Sequence, residues 1–173
     1  MKTDTSEKGL ESLIVADMTA SGWLPGDGGN YEREYAVDRE HLRAFLRATQ
    51  RPIAEALDLD QDSPIRRSFL ARLQGEIEKR GVIDVLRHGI KHGPHHLDLF
   101  YGTPSPGNAV AAERYAQNRF SVTRQLRYSR DETQLALDLC LLINGLPIAT
   151  FELKNSLTKQ TVQDAVQQYK RDR

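Results

Sequence analysis

The stretch from Gln134 to Lys154, QLALDLCLLINGLPIATFELK, constrains the fold more than any other part of the chain. Two runs of β-forming residues flank Asn144-Gly145, a pair that accepts the positive φ angles of a tight turn, so a β-hairpin is expected here. Side chains alternate along a strand. In the first run Leu135, Leu137, Leu139 and Leu141 share one face, and Ala136, Asp138 and Cys140 share the other. In the second, Ala149, Phe151 and Leu153 make an apolar row, opposite Ile148, Thr150, Glu152 and Lys154. If both apolar rows are buried on one side, Asp138, Glu152 and Lys154 must meet on the other. A regular two-residue loop would defeat this, because it sets Asp138 opposite Phe151. The expectation is therefore a three-residue loop, Asn144 to Leu146, or a bulge in the hairpin.

Two carboxylates on neighbouring strands, with a lysine two residues beyond the second, make a hard-oxygen site suited to Mg²⁺. A divalent ion there can polarise a phosphodiester and activate water, and the lysine can orient that water or stabilise developing charge. Phosphodiester hydrolysis is the chemistry this pattern fits. Cys140, set in the apolar strand with no histidine near it in sequence, is expected to be core.

Ahead of the hairpin, Leu10, Leu13, Ile14 and Met18 have the spacing of a helix with one buried stripe, over Ser6 to Ala20, stopping at Ser21-Gly22. Leu24 to Asn30 is turn material, and Tyr31 to Val37 fits a short strand or an irregular connection. Asp38 is a suitable cap for a helix to Thr49 that buries Leu42, Phe45 and Leu46. A linker with Asp58, Asp60 and Asp62 follows. Ser63-Pro64 then opens a helix through Phe69, Leu70 and Leu73, which Gly81 breaks before a further helical stretch to His88. Asp98 to Tyr101 reads as a strand, Gly102 to Gly107 as a loop, Ala109 to Asn118 as a helix, and Phe120, Val122 and Leu126 as the start of extended chain. After Lys154, Thr161 to Asp164 has the form of a capping box for a helix carrying Val162, Ala165, Val166 and Tyr169 on one face and Gln163, Gln167 and Gln168 on its polar edge.

With 173 residues the chain suits one domain, residues 1–173. A single cysteine excludes an internal disulfide, and no segment approaches the roughly 18 apolar residues of a membrane span. A cytoplasmic protein that does not engage membranes is expected. Acidic and basic residues balance at 24 each, so net charge gives no sign of a nucleic-acid partner. Distribution says more: Arg114, Arg119, Arg124, Arg127 and Arg130 fall close together upstream of the hairpin, and Lys170, Arg171 and Arg173 close the chain. His88, His92, His95 and His96 crowd one glycine- and proline-containing segment, without the cysteines that a zinc site would favour, and a surface loop is expected there.

Asn118 to Arg173 resembles the N-terminal nuclease domain of the R (restriction) subunit of type I restriction-modification enzymes. The resemblance rests on an N-x-F-x-V-x-x-Q lead-in at Asn118, Phe120, Val122 and Gln125, on the aspartate strand, on Glu152-Leu153-Lys154-Asn155, and on the loop through Gln160-Thr161. Leu10 to Trp23 and Leu42 to Gln50 resemble the family's first two helices. This implies an α/β fold with a PD-(D/E)XK (restriction-endonuclease-like) core, a central mixed β-sheet flanked by α-helices, that cuts double-stranded DNA with Mg²⁺. It further implies that Asp138, Glu152 and the backbone carbonyl of Leu153 hold the metal, that Lys154 serves the attacking water, that Glu11 lies near the metal, and that Gln168, or else Gln167, reaches the site. Leu137 stands where the family name has proline, and no Gln-x-x-x-Tyr motif can be completed from Gln168 or Tyr169.

Methyltransferase and specificity subunits are the implied partners, and ATP would enter only through a motor region, since no phosphate-binding loop occurs in the sequence. An N-terminal fragment of a longer polypeptide is expected. The alternative is a catalytically silent DNA-binding or subunit-docking module that keeps the fold without the activity.

Overall fold

A computed structural model describes residues 7–129, 131, 135–154, 166, 167 and 170. It is an α/β structure built on a four-stranded mixed sheet. The chain begins with α1 (Glu7–Ala20), β1 (Leu24–Pro25), a 3₁₀ turn at Gly28–Asn30, and the paired short strands β2 (Tyr31–Glu32) and β3 (Val37–Asp38). The helices α2 (Arg39–Thr49), α3 (Arg51–Ala56), α4 (Pro64–Arg80) and α5 (Val82–His88) follow, then β4 (Ile90–His92) and β5 (His95–Leu97). Finally come α6 (Ala109–Ala116) and the long strands β6 (Phe120–Arg127), β7 (Ala136–Ile143) and β8 (Leu146–Phe151). The sheet order is β1-β6-β7-β8, with β1 parallel to β6 and the other pairs antiparallel.

Helix boundaries follow local chemistry. Asp38 accepts a hydrogen bond from the His41 backbone N–H at 3.0 Å, and Ser63 accepts one from Arg66 N–H at 3.1 Å with Pro64 at the first helical position. Each side chain satisfies a donor that helix geometry leaves orphaned, a contribution of about 1 kcal/mol. The larger core joins Leu42, Phe45 and Leu46 of α2, Phe69, Leu70 and Leu73 of α4, Val85 and Leu86 of α5, and Leu97 and Leu99, and reaches the sheet at Leu146. On the other flank α1 packs against β1 and β6. Leu126, Leu137, Cys140 and Leu142 form a second, smaller core, with Tyr31 packed on it. Burial there, with Cys140 alongside, raises the Tyr31 phenol above its ordinary pKa.

Several expectations are revised. The supposed linker after α2 contains α3, and two of its three aspartates are ion-paired: Asp60 binds Arg43 and Arg47, while Asp62 binds Arg66 and Arg67. The histidine-rich segment is not a loop but the β4–β5 hairpin, with His92 paired to His95 and its ring edge-on to Phe69. Asp98 to Tyr101, read as a strand, lies just past β5 and is not one. Helix α1 forms as expected but does not bury its apolar stripe: Leu10 is exposed, Leu13 is 63% exposed, and its only buried residue is Glu11.

Candidate active site in the β6–β8 cleft

The hairpin predicted between Gln134 and Lys154 is β7–β8. It turns through Asn144 (φ 51°) and Gly145 (φ 84°), with Ile143 opposite Leu146 and Leu142 opposite Pro147. The loop is therefore two residues long, and the bulge is what the sheet uses. Beyond it the register shifts by one, so that Leu141 faces Ala149 and Leu139 faces Phe151. Continuing that register one residue brings Glu152 level with Asp138. Without the bulge the aspartate would face Phe151 and the two acids would stand on opposite faces.

The turn itself is held from several directions. Asn144 is fully buried; its side chain accepts from Arg119 N–H at 2.7 Å and donates to the Leu99 carbonyl at 2.8 Å and to Asn118 Oδ1 at 3.1 Å. Asn118 exchanges a pair of hydrogen bonds with the Tyr101 backbone. Gly145 sits so close to Asp38 and Leu42 that a Cβ there would lie 2.3 Å from the Asp38 carbonyl oxygen.

At the open end of the hairpin Asp138 is tied to both neighbours. Its Oδ2 accepts from Leu153 N–H at 2.7 Å, and its Oδ1 accepts from the Gln125 side-chain amide at 3.1 Å. Lys154 Nζ lies 3.5 Å from Glu152 Oε1, both side chains about four-fifths buried. The same Gln125 amide donates to Glu11 Oε2 at 2.8 Å, and Arg124 Nε pairs with Glu11 Oε1. Glu11, only 4% exposed, is thus a buried acid joined to the Asp138 cluster rather than a solvent-facing residue. Glu7, Lys8, Glu11, Arg124, Gln125 and Asp138 line a cleft of about 420 Å³.

Of the residues singled out in the sequence, Asp138, Glu152, Leu153, Lys154 and Glu11 are all described, and backbone or side-chain contacts link Asp138 to Leu153 and, through Gln125, to Glu11. Gln167 is helical and exposed. Gln168 and Gln163 lie outside the described residues, as does the capping box at Thr161. The arginine cluster is not one open basic face: Arg114 stacks over the Tyr101 ring, Arg119 donates to His41 Nδ1 at 3.0 Å, and Arg124 holds Glu11. Burial lowers the His41 pKa, Asp38 pulls it back up, and Arg119 adds to the lowering.

Sequence reasoning passed over Gln125 as a site residue, although it ends the lead-in motif. The structure gives each position of that motif a job. Asn118 braces the turn, Phe120 packs against the rings of Trp23, Phe100 and Tyr115, Val122 is core, and Gln125 meets the carboxylates.

Among the described residues no three His, Cys, Asp or Glu side chains are grouped to hold a metal. The carboxylates that the register brings level, when continued one residue past Phe151, are those of Asp138 and Glu152, with the Leu153 backbone beside Asp138. That set fits Mg²⁺, which commonly takes one or two carboxylates and keeps water in its other positions, and it does not fit zinc.

Searches of curated proteins and of solved structures gave no significant match. A family model described as the type I restriction enzyme R protein N terminus matches residues 4–173, nearly the whole chain. The lead-in motif and the Glu-Leu-Lys strand end that suggested this kinship in the sequence both lie in the matched region, and the chain belongs to the type I restriction enzyme R protein N-terminal family.

Proposed function

We propose that this chain is a Mg²⁺-dependent endonuclease domain with a PD-(D/E)XK core, acting on double-stranded DNA within a type I restriction enzyme. The observation that supports this reading is the bulged register of β7–β8, which, continued one residue past Phe151, brings Glu152 level with Asp138 where a regular hairpin would set Phe151. Asp138, Glu152 and the Leu153 carbonyl would hold the ion, and Glu11 would add negative charge beside it. When bound, Mg²⁺ would supply Lewis-acid polarisation of the phosphodiester and a more acidic water.

The chain's own residues have separable tasks. The Leu153 N–H fixes the Asp138 carboxylate, so its orientation does not depend on substrate. Lys154, held near Glu152, is placed to orient the attacking water and to offset charge developing on the phosphate. Methyltransferase and specificity subunits would choose the DNA, and a motor elsewhere in the enzyme would use ATP. The family membership and the absence, among the described residues, of a helix long and apolar enough to cross a membrane agree with action on DNA in the cytoplasm.

The test is DNA cleavage by the assembled enzyme carrying Asp138→Ala or Lys154→Ala, with ATP hydrolysis followed in parallel. Loss of cleavage with ATPase retained is the expected result. Full cleavage by both variants would move the chemistry elsewhere and leave a docking or DNA-binding module.

A further inference from the structure

In a regular strand neighbouring side chains point to opposite faces, yet Arg124 and Gln125 of β6 both reach Glu11, one to each carboxylate oxygen. The backbone explains how. Gln125 has φ 47°, in the left-handed region that residues other than glycine seldom occupy, while the pairs on either side, Arg124 with Leu139 and Leu126 with Leu137, keep the strand in register. Alternation is broken at one residue without a shift in pairing. Gln125 thereby stays level with Asp138 and also turns toward Glu11.

Its amide carries two N–H donors, and each is used on a different carboxylate, Glu11 at 2.8 Å and Asp138 at 3.1 Å. Both partners, when ionised, only accept, so the amide nitrogen and not the oxygen must face them. A neutral amide suits this place. Arg124 already sets one positive charge on Glu11; a lysine or arginine at position 125 would add a second and compete with a cation, whereas the amide joins the two acids without adding charge. Strained backbone of this kind persists where the surroundings enforce it, often at functional sites.

We propose that Gln125 is a positioning residue that clamps Glu11 and Asp138 side by side for a divalent cation, an inference that rests on the endonuclease reading above. Hydrogen-bonding partners behind a metal's own ligands commonly contribute about ten- to a hundredfold in affinity. Gln125→Gly removes the amide while keeping, and easing, the left-handed backbone; Gln125→Ala removes the amide alone. Mn²⁺ and Mg²⁺ would be titrated calorimetrically into wild type, both variants and Asp138→Ala, with thermal melts recorded in the absence of metal.

The expected result is that Gln125→Gly melts no lower than wild type but binds Mn²⁺ at least about tenfold more weakly, and that cleavage by the assembled enzyme carrying it recovers as Mg²⁺ is raised. Should Gln125→Ala fail to fold, Gln125→Gly decides alone. Binding by Gln125→Gly within about twofold of wild type, with Asp138→Ala defective, would overturn the positioning role and leave the endonuclease reading standing. If wild type binds no better than Asp138→Ala, both fall together.

Discussion

The two ends of the β7–β8 hairpin are built on opposite principles. At the turn, Asn144 and Gly145 are fixed by packing and neutral hydrogen bonds, in a space where a single added methyl group would collide with Asp38. At the open end, the Glu11–Arg124 ion pair, a left-handed glutamine and a cleft of about 420 Å³ meet Asp138. The comparison teaches a division of labour: the turn end spends its interactions on stability, and the open end holds like charges together in an arrangement that stability alone would not select.

Variants at the two ends should therefore fail differently. The largest effect is expected from Asp138→Ala, which should cost at least about a hundredfold in DNA cleavage, since even residues behind a metal ligand can cost that much. Its melting temperature should move little, because removing one acid from the cluster relieves repulsion; a large fall would break the distinction drawn here. Gly145→Ala should do the reverse, destabilising by about 3 kcal/mol in denaturant unfolding through a 2.3 Å contact and a positive φ. Asn144→Ala, which leaves its buried backbone partners unsatisfied, should cost about 2 kcal/mol by the same measurement.

A smaller, pH-dependent effect is expected at His41, which meets the turn end through Arg119. Its pKa is lowered in the folded state, so the unfolded chain binds the extra proton and stability rises with pH across that window. The contribution is complete above about 6.5, the ordinary histidine value, and is lost as pH falls through the folded pKa. Arg119 donates to an unprotonated Nδ1, which is the bond protonation would remove. His41→Gln should flatten the dependence of unfolding free energy on pH in this range, and an unchanged slope would assign it to other groups. The smallest effect belongs to Leu13→Ala, expected within about 0.5 kcal/mol of wild type because the side chain is 63% exposed.

That last variant marks where the sequence could be read and where it could not. The hairpin, the Asp38 and Ser63 caps and the break at Gly81 were legible because each depends on residues within a few positions of one another. The bulge was legible from requiring the two acids on one face, although Phe151, expected in a buried apolar row, is 45% exposed. Helix α1 was misread: its apolar spacing promised a buried stripe, but what anchors it is Glu11, paired with residues more than a hundred positions away. No local pattern reports such a contact. The strands of β4 and β5 are three residues each, too short for alternation to register, and α3 begins only two positions after α2 ends, under a run of charges that read as linker.

The bulge between Leu141 and Leu142 and the opposing Pro147 to Ala149 also sets a rule of length. Counted from the turn, Asp138 stands six positions before Asn144 and Glu152 seven positions after Gly145. The arms are unequal, and the one extra residue is absorbed where the bulge lies. Shortening the second arm by one residue at Ile148 would make the arms equal and leave the acids as neighbours in an unbulged ladder, whereas lengthening either arm by one would have to be taken up again before the site. The distance between turn and acid can therefore drift by a residue through ordinary insertion or deletion, while the pairing of the two acids is preserved.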